Sequence, residues 1–231
     1  PIPIRYALTV GELSQMAFKK GWLLKNPPKL TVIKMDNWRR HMFYEDTNLP
    51  WISPSPNIPD LETAIIYPGM CLYEATNVSE GRGTKSPFKS IGAPWMDLEM
   101  IKKMAISNIK GTKFKNIKFV PVSIPGKAEN PKFENKQCIG GKIIVSDQHS
   151  YRSLETAIYS LYHTIDLYEK DFTYKKNRLD QLFGNQYLSK FLENITQDSE
   201  KNNKKLSILF ENLKKDNQKF MLQSSPYYLY D

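Results

Sequence analysis

The sequence predicts a mixed α/β protein in two parts. Three observations carry that reading: a capped helix followed by a β-branched run, two extended runs at 114–124 and 138–146, and a long apolar helical stripe at 153–168. The expected boundary lies near 108–111, separating 1–108 from a smaller α/β part at 109–231.

Thr9-Val10-Gly11-Glu12 reads as a capping box, in which the Thr9 hydroxyl and the Glu12 carboxylate each bond the other's backbone N–H. Leu13, Met16 and Ala17 follow at helical spacing, and Gly21 is a natural stop. Pro27-Pro28 separates this helix from 30–35, a short β-branched run expected to be a strand. The stretch 36–59 holds Pro50, Pro54, Pro56 and Pro59, each lacking a backbone donor and fixing φ. It predicts a stiff loop that presents Trp51, Ser53, Ser55 and Asn57, a wall rather than a linker.

A helical turn or two is expected at 61–66, broken by Pro68-Gly69, and then a short strand at 70–75. Gly81 and Gly83 among polar residues make 76–87 a loop. Asp97 caps a helix carrying Met100, Ile101, Met104 and Ala105. Leu154, Ala157, Ile158, Leu161, Tyr162 and Ile165 form one stripe at i, i+3, i+4, i+7, i+8 and i+11. Shorter helices follow at 179–183 and 187–192. A last helix turns Leu206, Leu209, Phe210 and Leu213 inward. No internal repeat or low-complexity segment interrupts this order.

Among 231 residues, 33 Lys and Arg outnumber 24 Asp and Glu, a formal charge of +9 that favours anionic partners. Lysines at 201–219 spread over many helical angles, as on a solvated face. There is no zinc-finger spacing and no aromatic-glycine RNA-binding motif, so nucleic acid is not the expected partner. No apolar run approaches the roughly 20 residues that span a bilayer, which predicts a soluble protein. The first residues show no charged, apolar and cleavage-site sequence of a signal peptide, and that leaves export open. Cys71 and Cys138 fit neither a metal cluster nor a disulfide framework; buried thiols are the first reading, and one disulfide stays open. Neither a metal nor a cofactor is expected.

The most unusual stretch runs from Pro68 to Thr84. Glu74 and Glu80 flank amide and hydroxyl side chains, and Arg82 stands between Gly81 and Gly83. Glycines admit close backbone approach to a ligand, and a guanidinium pairs with carboxylate or phosphate in bidentate fashion. The same pattern also fits a plain turn with a local ion pair. Glycoside hydrolysis commonly uses two carboxyl groups, about 5–5.5 Å apart for retention and 6.5–9.5 Å for inversion. Six positions of extended chain separate Glu74 from Glu80 by roughly 20 Å. They form a pair only if the loop doubles back; otherwise one partner comes from elsewhere. His163 falls near an apolar stripe and reads as a packed histidine. Asp147 and His149 sit where a strand ends.

Together the motifs resemble a known family. They are Trp51-Ile-Ser-Pro-Ser-Pro-Asn-Ile-Pro59, Thr63-Ala64, Tyr67-Pro68-Gly69, Glu74, Thr76-Asn77, Ser79-Glu-Gly-Arg-Gly-Thr84, Pro87-Phe88 and Gly92-Ala-Pro-Trp95. Pro3-Ile-Arg5, Thr9-x-Gly11-Glu12-Leu13, Cys138-x-Gly140 and Tyr228-Leu-Tyr230 extend the likeness over the chain. It is similar to the NamZ-type exo-β-N-acetylmuramidases, long catalogued as a domain of unknown function. The resemblance implies an exported bacterial peptidoglycan hydrolase, periplasmic or secreted, that removes N-acetylmuramic acid from non-reducing glycan ends. It also implies that 1–108 ends a Rossmann-like catalytic domain, with the active site in the cleft between the two domains. Family members carry a preceding Rossmann-like segment with a further acidic candidate, which this chain lacks. A non-catalytic binding protein for muropeptides or other anionic glycans is therefore the alternative.

On that substrate, Glu80 is the first acid/base candidate because it sits in the loop, and Glu74 is the second. Arg82 or Arg152 would clamp the lactyl carboxylate. Asn57 and Asn77 would bond the acetamido group or hydroxyls, with Ser55 and Thr84 beside them. Trp51 or Trp95 would stack on the sugar, although Trp95 equally suits a core anchor.

Overall fold

Residues 2–23 and 29–231 are described by the computed structural model of the protein. The Pro27-Pro28 separator lies outside them. The chain divides into a unit of 1–50 with 207–231 and a unit of 51–206. The expected division at 108/109 falls inside the second unit, where strands from both sides of it share one sheet.

In the first unit, helix α1 (Val10–Lys19) starts on the expected box. Thr9 Oγ1 accepts from the Glu12 N–H at 3.3 Å, and Glu12 Oε2 accepts from the Thr9 N–H at 2.8 Å. Gly21 adopts φ +66° just past the helix. Glu12 is fully buried and has a second task, because its Oε1 accepts from Arg40 Nη2 at 2.5 Å and from the Leu229 N–H at 2.7 Å. Burial alone would raise its pKa. Hydrogen bonds from Arg40, Leu229 and Thr9 outweigh burial and hold the carboxyl below the ordinary glutamate value. A small core of Leu8, Met16 and Phe220 packs beside Tyr6, Leu13, Tyr227 and Tyr228, and Arg40 stacks 4.1 Å over the Tyr228 ring. Thus the motifs near residue 9 and near residue 229 meet at one buried carboxylate.

The strand expected at 30–35 does not form. The segment is extended and largely exposed, with Met35 N donating to Tyr230 Oη at 3.0 Å. Among the described residues it has no neighbouring strand to complete a ladder, and β-branching alone does not supply one. Val32 instead lies across Gly11, where a Cβ would come within 2.6 Å of Val32 Cγ1.

The second unit is built on a three-stranded antiparallel sheet of β1 (Ser90–Ala93), β2 (Thr112–Phe119) and β3 (Cys138–Val145), in the order β1-β3-β2. The central strand β3 is the most apolar, whereas edge strand β2 alternates lysines with half-buried residues, as one solvated face requires. Gly140 and Gly141 admit close neighbours: a Cβ at Gly140 would meet Ile91 O at 2.0 Å, and one at Gly141 would meet Ile101 Cδ1 at 1.9 Å. Ile101 belongs to α3 (Glu99–Ile106), whose N-cap is Leu98 and not the expected Asp97; Asp97 Oδ1 instead accepts from the Glu99 N–H at 2.8 Å in the turn that leads into the helix. Every described strand pair is antiparallel. The Rossmann-like ending implied for 1–108 therefore contributes helices, loops and β1 to these residues, without a parallel sheet.

Helix α2 (Leu61–Met70) continues through Pro68-Gly69, where a break was expected, and tightens into a 3-10 turn at Cys71–Ala75 in place of the expected strand. Pro68 removes one helical hydrogen bond. Close packing offsets that loss: Gly69 lets the Ser153 carbonyl approach to 2.0 Å of where a Cβ would stand. Ser153 opens α4 (Ser153–Leu167), whose Ala157, Ile158 and Leu161 are completely buried along the expected stripe. Tyr73, also fully buried, sets its hydroxyl 2.6 Å from Ser160 Oγ on the same helix. Helices α5 (Lys176–Phe183), α6 (Tyr187–Glu193) and α7 (Ser199–Ser224) follow. Leu206 and Leu209 of α7 are buried, while Lys201, Lys204, Lys214, Lys215 and Lys219 are exposed, as on the expected solvated face. No helix among the described residues is long and apolar enough to cross a membrane.

Candidate functional site

The 3-10 turn after α2 buries Cys71, Leu72, Tyr73 and Ala75, and Glu74 is its one residue left half-buried. The chain then runs extended, with Ser79 bridged to Gly92 of β1. Gly81 and Gly83 both take φ +77°, where L side chains are strained. Space also requires glycine there: a Cβ on Gly81 would fall 2.7 Å from Ser86 O, and one on Gly83 would fall 2.5 Å from Val122 O. These two turns direct Arg82 back towards the segment it follows.

Arg82 Nη2 donates to Glu74 Oε1 at 2.7 Å, and its Nε lies 3.6 Å from Glu80 Oε1. The loop thus doubles back, as a carboxylate pair would need. One guanidinium's width plus those two contacts puts the carboxylates no more than about 9 Å apart. That bound admits both stereochemical spacings. The guanidinium itself fills the gap, so Glu74 and Glu80 do not flank a sugar-sized space as a mutual pair. Phe88 supports the arrangement: its ring lies 5.2 Å beneath the Arg82 guanidinium and meets Tyr67 edge-on at 4.8 Å.

Two further cations complete the cluster, and both arrive from distant sequence. Lys132, in the segment between β2 and β3, donates to Glu80 Oε2 at 2.9 Å, Tyr73 O at 2.7 Å and Val78 O at 3.0 Å. All three ammonium donors are engaged. Arg178 of α5 approaches Glu74 Oε2 with Nη2 at 3.5 Å. The result is an alternating ladder, Arg178–Glu74–Arg82–Glu80–Lys132, of three cations and two carboxylates. Along it Glu80 is nearly enclosed, with 7% of its side chain exposed, against 19% for Glu74 and 37% for Arg82.

The remaining expected site residues divide by what they touch. Asn57 makes none of the ladder's contacts: its Nδ2 donates to Lys127 O at 2.6 Å, five positions before Lys132, and its buried Oδ1 has no hydrogen-bond partner among the described residues. Ser55 Oγ accepts weakly from the Asn57 N–H at 3.5 Å, and Trp51 is half-buried at the head of the same proline-rich segment. Asn77 clips a neighbouring turn, donating to Asp171 O at 2.7 Å and accepting from the Thr173 N–H at 2.9 Å. Thr84 closes the loop, donating to Gly81 O at 2.6 Å and accepting from the Ser86 N–H at 3.0 Å. Trp95 packs edge-on against Tyr168 at 5.5 Å. Arg152, at the head of α4, donates to His149 O at 3.0 Å and Tyr151 O at 3.2 Å. The family resemblance implies sugar contacts for Asn77 and Thr84; in the structure the polar atoms of both side chains bond backbone groups.

Other reactive groups have structural duties. Cys71 and Cys138 are free, buried thiols, and burial pushes both up to about 11, with the Glu74 carboxylate adding to the rise at Cys71. Neither suits a nucleophile. His163 is buried with Nε2 2.8 Å from Ser107 Oγ; burial, aided by Lys103 and opposed by Asp166, lowers it to about 4. Asp147 caps a turn, accepting from the His149 N–H and the Ser150 hydroxyl. No group of three or more His, Cys, Asp or Glu among the described residues is arranged to hold a metal ion.

A second charge network, centred on the buried Lys89, holds the site in place. Lys89 Nζ, next to β1, donates to Asp60 Oδ2 at 2.8 Å and Glu62 Oε2 at 3.2 Å. Glu62 Oε1 in turn accepts from the Val145 N–H of β3 at 3.1 Å. Asp60 also caps α2 through the Thr63 N–H at 2.8 Å. The head of α2 is thereby tied to the sheet, and its far end delivers Glu74.

Comparison with known proteins accords with the motifs. Residues 65–230 match the family model described as exo-beta-N-acetylmuramidase NamZ, C-terminal, and residues 1–62 match its N-terminal counterpart. The junction of the two matches falls at the start of α2, well before 108. The peptidoglycan beta-N-acetylmuramidase NamZ of Bacillus subtilis (strain 168) is 34% identical over 198 residues, which cover 85% of this chain and 45% of that protein. Two crystal structures of DUF1343 family proteins from Bacteroides fragilis are also similar. One has a TM-score of 0.81 at 25% identity, covering 98% of this chain and 57% of its own. The other has a TM-score of 0.67 at 30% identity, covering 97% and 56%. The chain spans about half the length of the relatives it matches.

Proposed function

The chain belongs to the NamZ exo-β-N-acetylmuramidase family, and on that premise we propose that it forms the C-terminal part of a peptidoglycan glycosidase. The reaction is exo-acting hydrolysis that releases N-acetylmuramic acid from non-reducing glycan ends. The protein works outside the cytoplasm, where peptidoglycan lies.

The observation that supports this reading is the Arg82-centred ladder, which gathers the family's Glu74, Glu80 and Arg82 at one partly exposed place. N-acetylmuramic acid differs from its glucosamine counterpart by an anionic lactyl group, and an excess of cations over carboxylates suits that anion. Exposure favours Glu74 over Glu80 as the carboxylate a sugar reaches. Glu80, enclosed between Lys132 and Arg82, serves to fix the guanidinium. Because Arg82 fills the gap between them, the second carboxyl group of a two-carboxylate mechanism comes from outside this ladder.

The test is release of the free sugar from a chromogenic N-acetylmuramic acid glycoside by the intact protein. Hydrolysis that falls in Glu74→Gln supports the assignment, and full activity in a folded Glu74→Gln variant removes Glu74 from the site. The same positive charge excess favours a second reading, a non-catalytic binder of muropeptides. Calorimetric binding of muropeptides without any hydrolysis would replace the first reading with that one.

A further inference from the structure

We infer that Arg178 of α5 joins Arg82 as the second arm of a carboxylate-binding subsite, so that the clamp for an anionic sugar is the pair Arg82 and Arg178 and not Arg152. The inference rests on the glycosidase reading for its ligand, a sugar bearing one carboxylate, but on independent geometry for the residue.

Both guanidiniums converge on the single carboxylate of Glu74. Arg82 holds Oε1 at 2.7 Å, while Arg178 stands 3.5 Å from Oε2, at the outer limit of a hydrogen bond. Arg178 is therefore drawn to Glu74 without being locked to it. Its side chain is 49% exposed and that of Arg82 is 37% exposed, so both present an edge to solvent at the same place. Each guanidinium has five N–H donors, more than one carboxylate can accept. Charge points the same way. Lys132 and Glu80 offset one another, which leaves Arg82, Arg178 and Glu74 with one positive charge in excess. A single carboxylate laid across the two arginines balances it and finds the planar, forked donors that favour this anion over a neutral hydroxyl. Arg152 offers less, since its Nη1 already serves two backbone carbonyls at the head of α4.

Calorimetric titration of the intact protein with free N-acetylmuramic acid and with N-acetylglucosamine, which lacks the lactyl carboxylate, tests the inference. Arg178→Ala is expected to weaken binding of the acidic sugar at least about tenfold, the scale of one charge-assisted contact, and to leave the neutral sugar within about twofold. Arg178→Lys restores part of the loss, because it keeps the charge without the fork. An unchanged unfolding midpoint for Arg178→Lys separates lost recognition from lost folding. Selective loss of the acidic sugar in a protein that hydrolyses nothing upholds the subsite and overturns the glycosidase reading. Equal binding by wild type and Arg178→Ala overturns the subsite while leaving hydrolysis intact. Loss in Arg152→Ala alone, or no preference of the wild type for the acidic sugar, overturns it as well.

Discussion

The ammonium of Lys132 lies 2.9 Å from Oε2 of Glu80, and this contact joins residues 52 positions apart. The same ammonium caps the carbonyls of Tyr73 and Val78, so it buttresses the whole run from the 3-10 turn to the glycine loop. Lys132→Met would strand the Glu80 carboxylate, 7% exposed, and two carbonyls. Breaking a largely buried pair from one side costs roughly 2–4 kcal/mol, allowing for the partial exposure of Lys132. Urea unfolding should show that loss as a lower midpoint with unchanged slope.

The two loop glycines differ from a third of similar backbone. Gly81 and Gly126 have φ of +77° and +69°, yet only at Gly81 does a Cβ meet backbone atoms, at 2.7 and 2.8 Å. Gly126→Ala should lose about 1 kcal/mol, the left-handed strain alone. Gly81→Ala should lose clearly more, about 3 kcal/mol, because the Ser86 and Ser90 carbonyls must also move. Equal losses in thermal unfolding would show that the loop yields without strain.

His163 gives the second unit a pH dependence of definite sign. Its folded-state pKa, about 4, lies below the ordinary 6.5 because burial disfavours the imidazolium. Between those values the unfolded chain binds a proton that the folded chain does not, so stability falls as pH drops from 6.5 towards 4 and then levels off. The full effect is about 3 kcal/mol. His163→Phe should flatten that part of the stability profile measured by denaturant titration.

Glu12 acts at lower pH, and its contribution is present above the ordinary glutamate range. It is lost as pH falls through the depressed folded value, because the protonated carboxyl gives up the charge-assisted bonds from Arg40 and the Leu229 N–H. Protection of the Leu229 amide against hydrogen exchange, relative to its intrinsic rate, should therefore fall as pH drops below the ordinary glutamate range. Glu12→Gln should exchange quickly at neutral pH as well. A slow Leu229 amide in that variant would show that the buried carboxylate does not hold this segment.

Much of the frame was legible because it obeys local rules. The Thr9–Glu12 box, the stripe on α4 and the apolar run of β3 follow from periodicity and capping. The fold departs from those rules where tertiary contacts decide. The run 30–35 has strand-like residues but no paired neighbour, and Pro68 was overruled by the packing of Gly69 against Ser153. The run 70–75 reads as a short strand, whereas the continuing helix tightens into a 3-10 turn in which Glu74 alone stays half-buried. The motif loop announced Glu74, Glu80 and Arg82 through its glycines. Lys132 and Arg178 were invisible, since a lysine between strands and an arginine on a polar helix look like solvated surface until the fold brings them to the carboxylates.

The most direct measurement is the rate at which the intact protein releases N-acetylmuramic acid from a chromogenic glycoside, compared between wild type and Arg82→Lys. The lysine keeps the charge but cannot span Glu74 and Glu80 together, and a misplacement near 1 Å costs roughly a hundredfold in rate. A folded Arg82→Lys protein with about one hundredth of the wild-type rate is the expected result. A folded variant at the full rate would contradict the assignment of the Arg82 ladder to the sugar site.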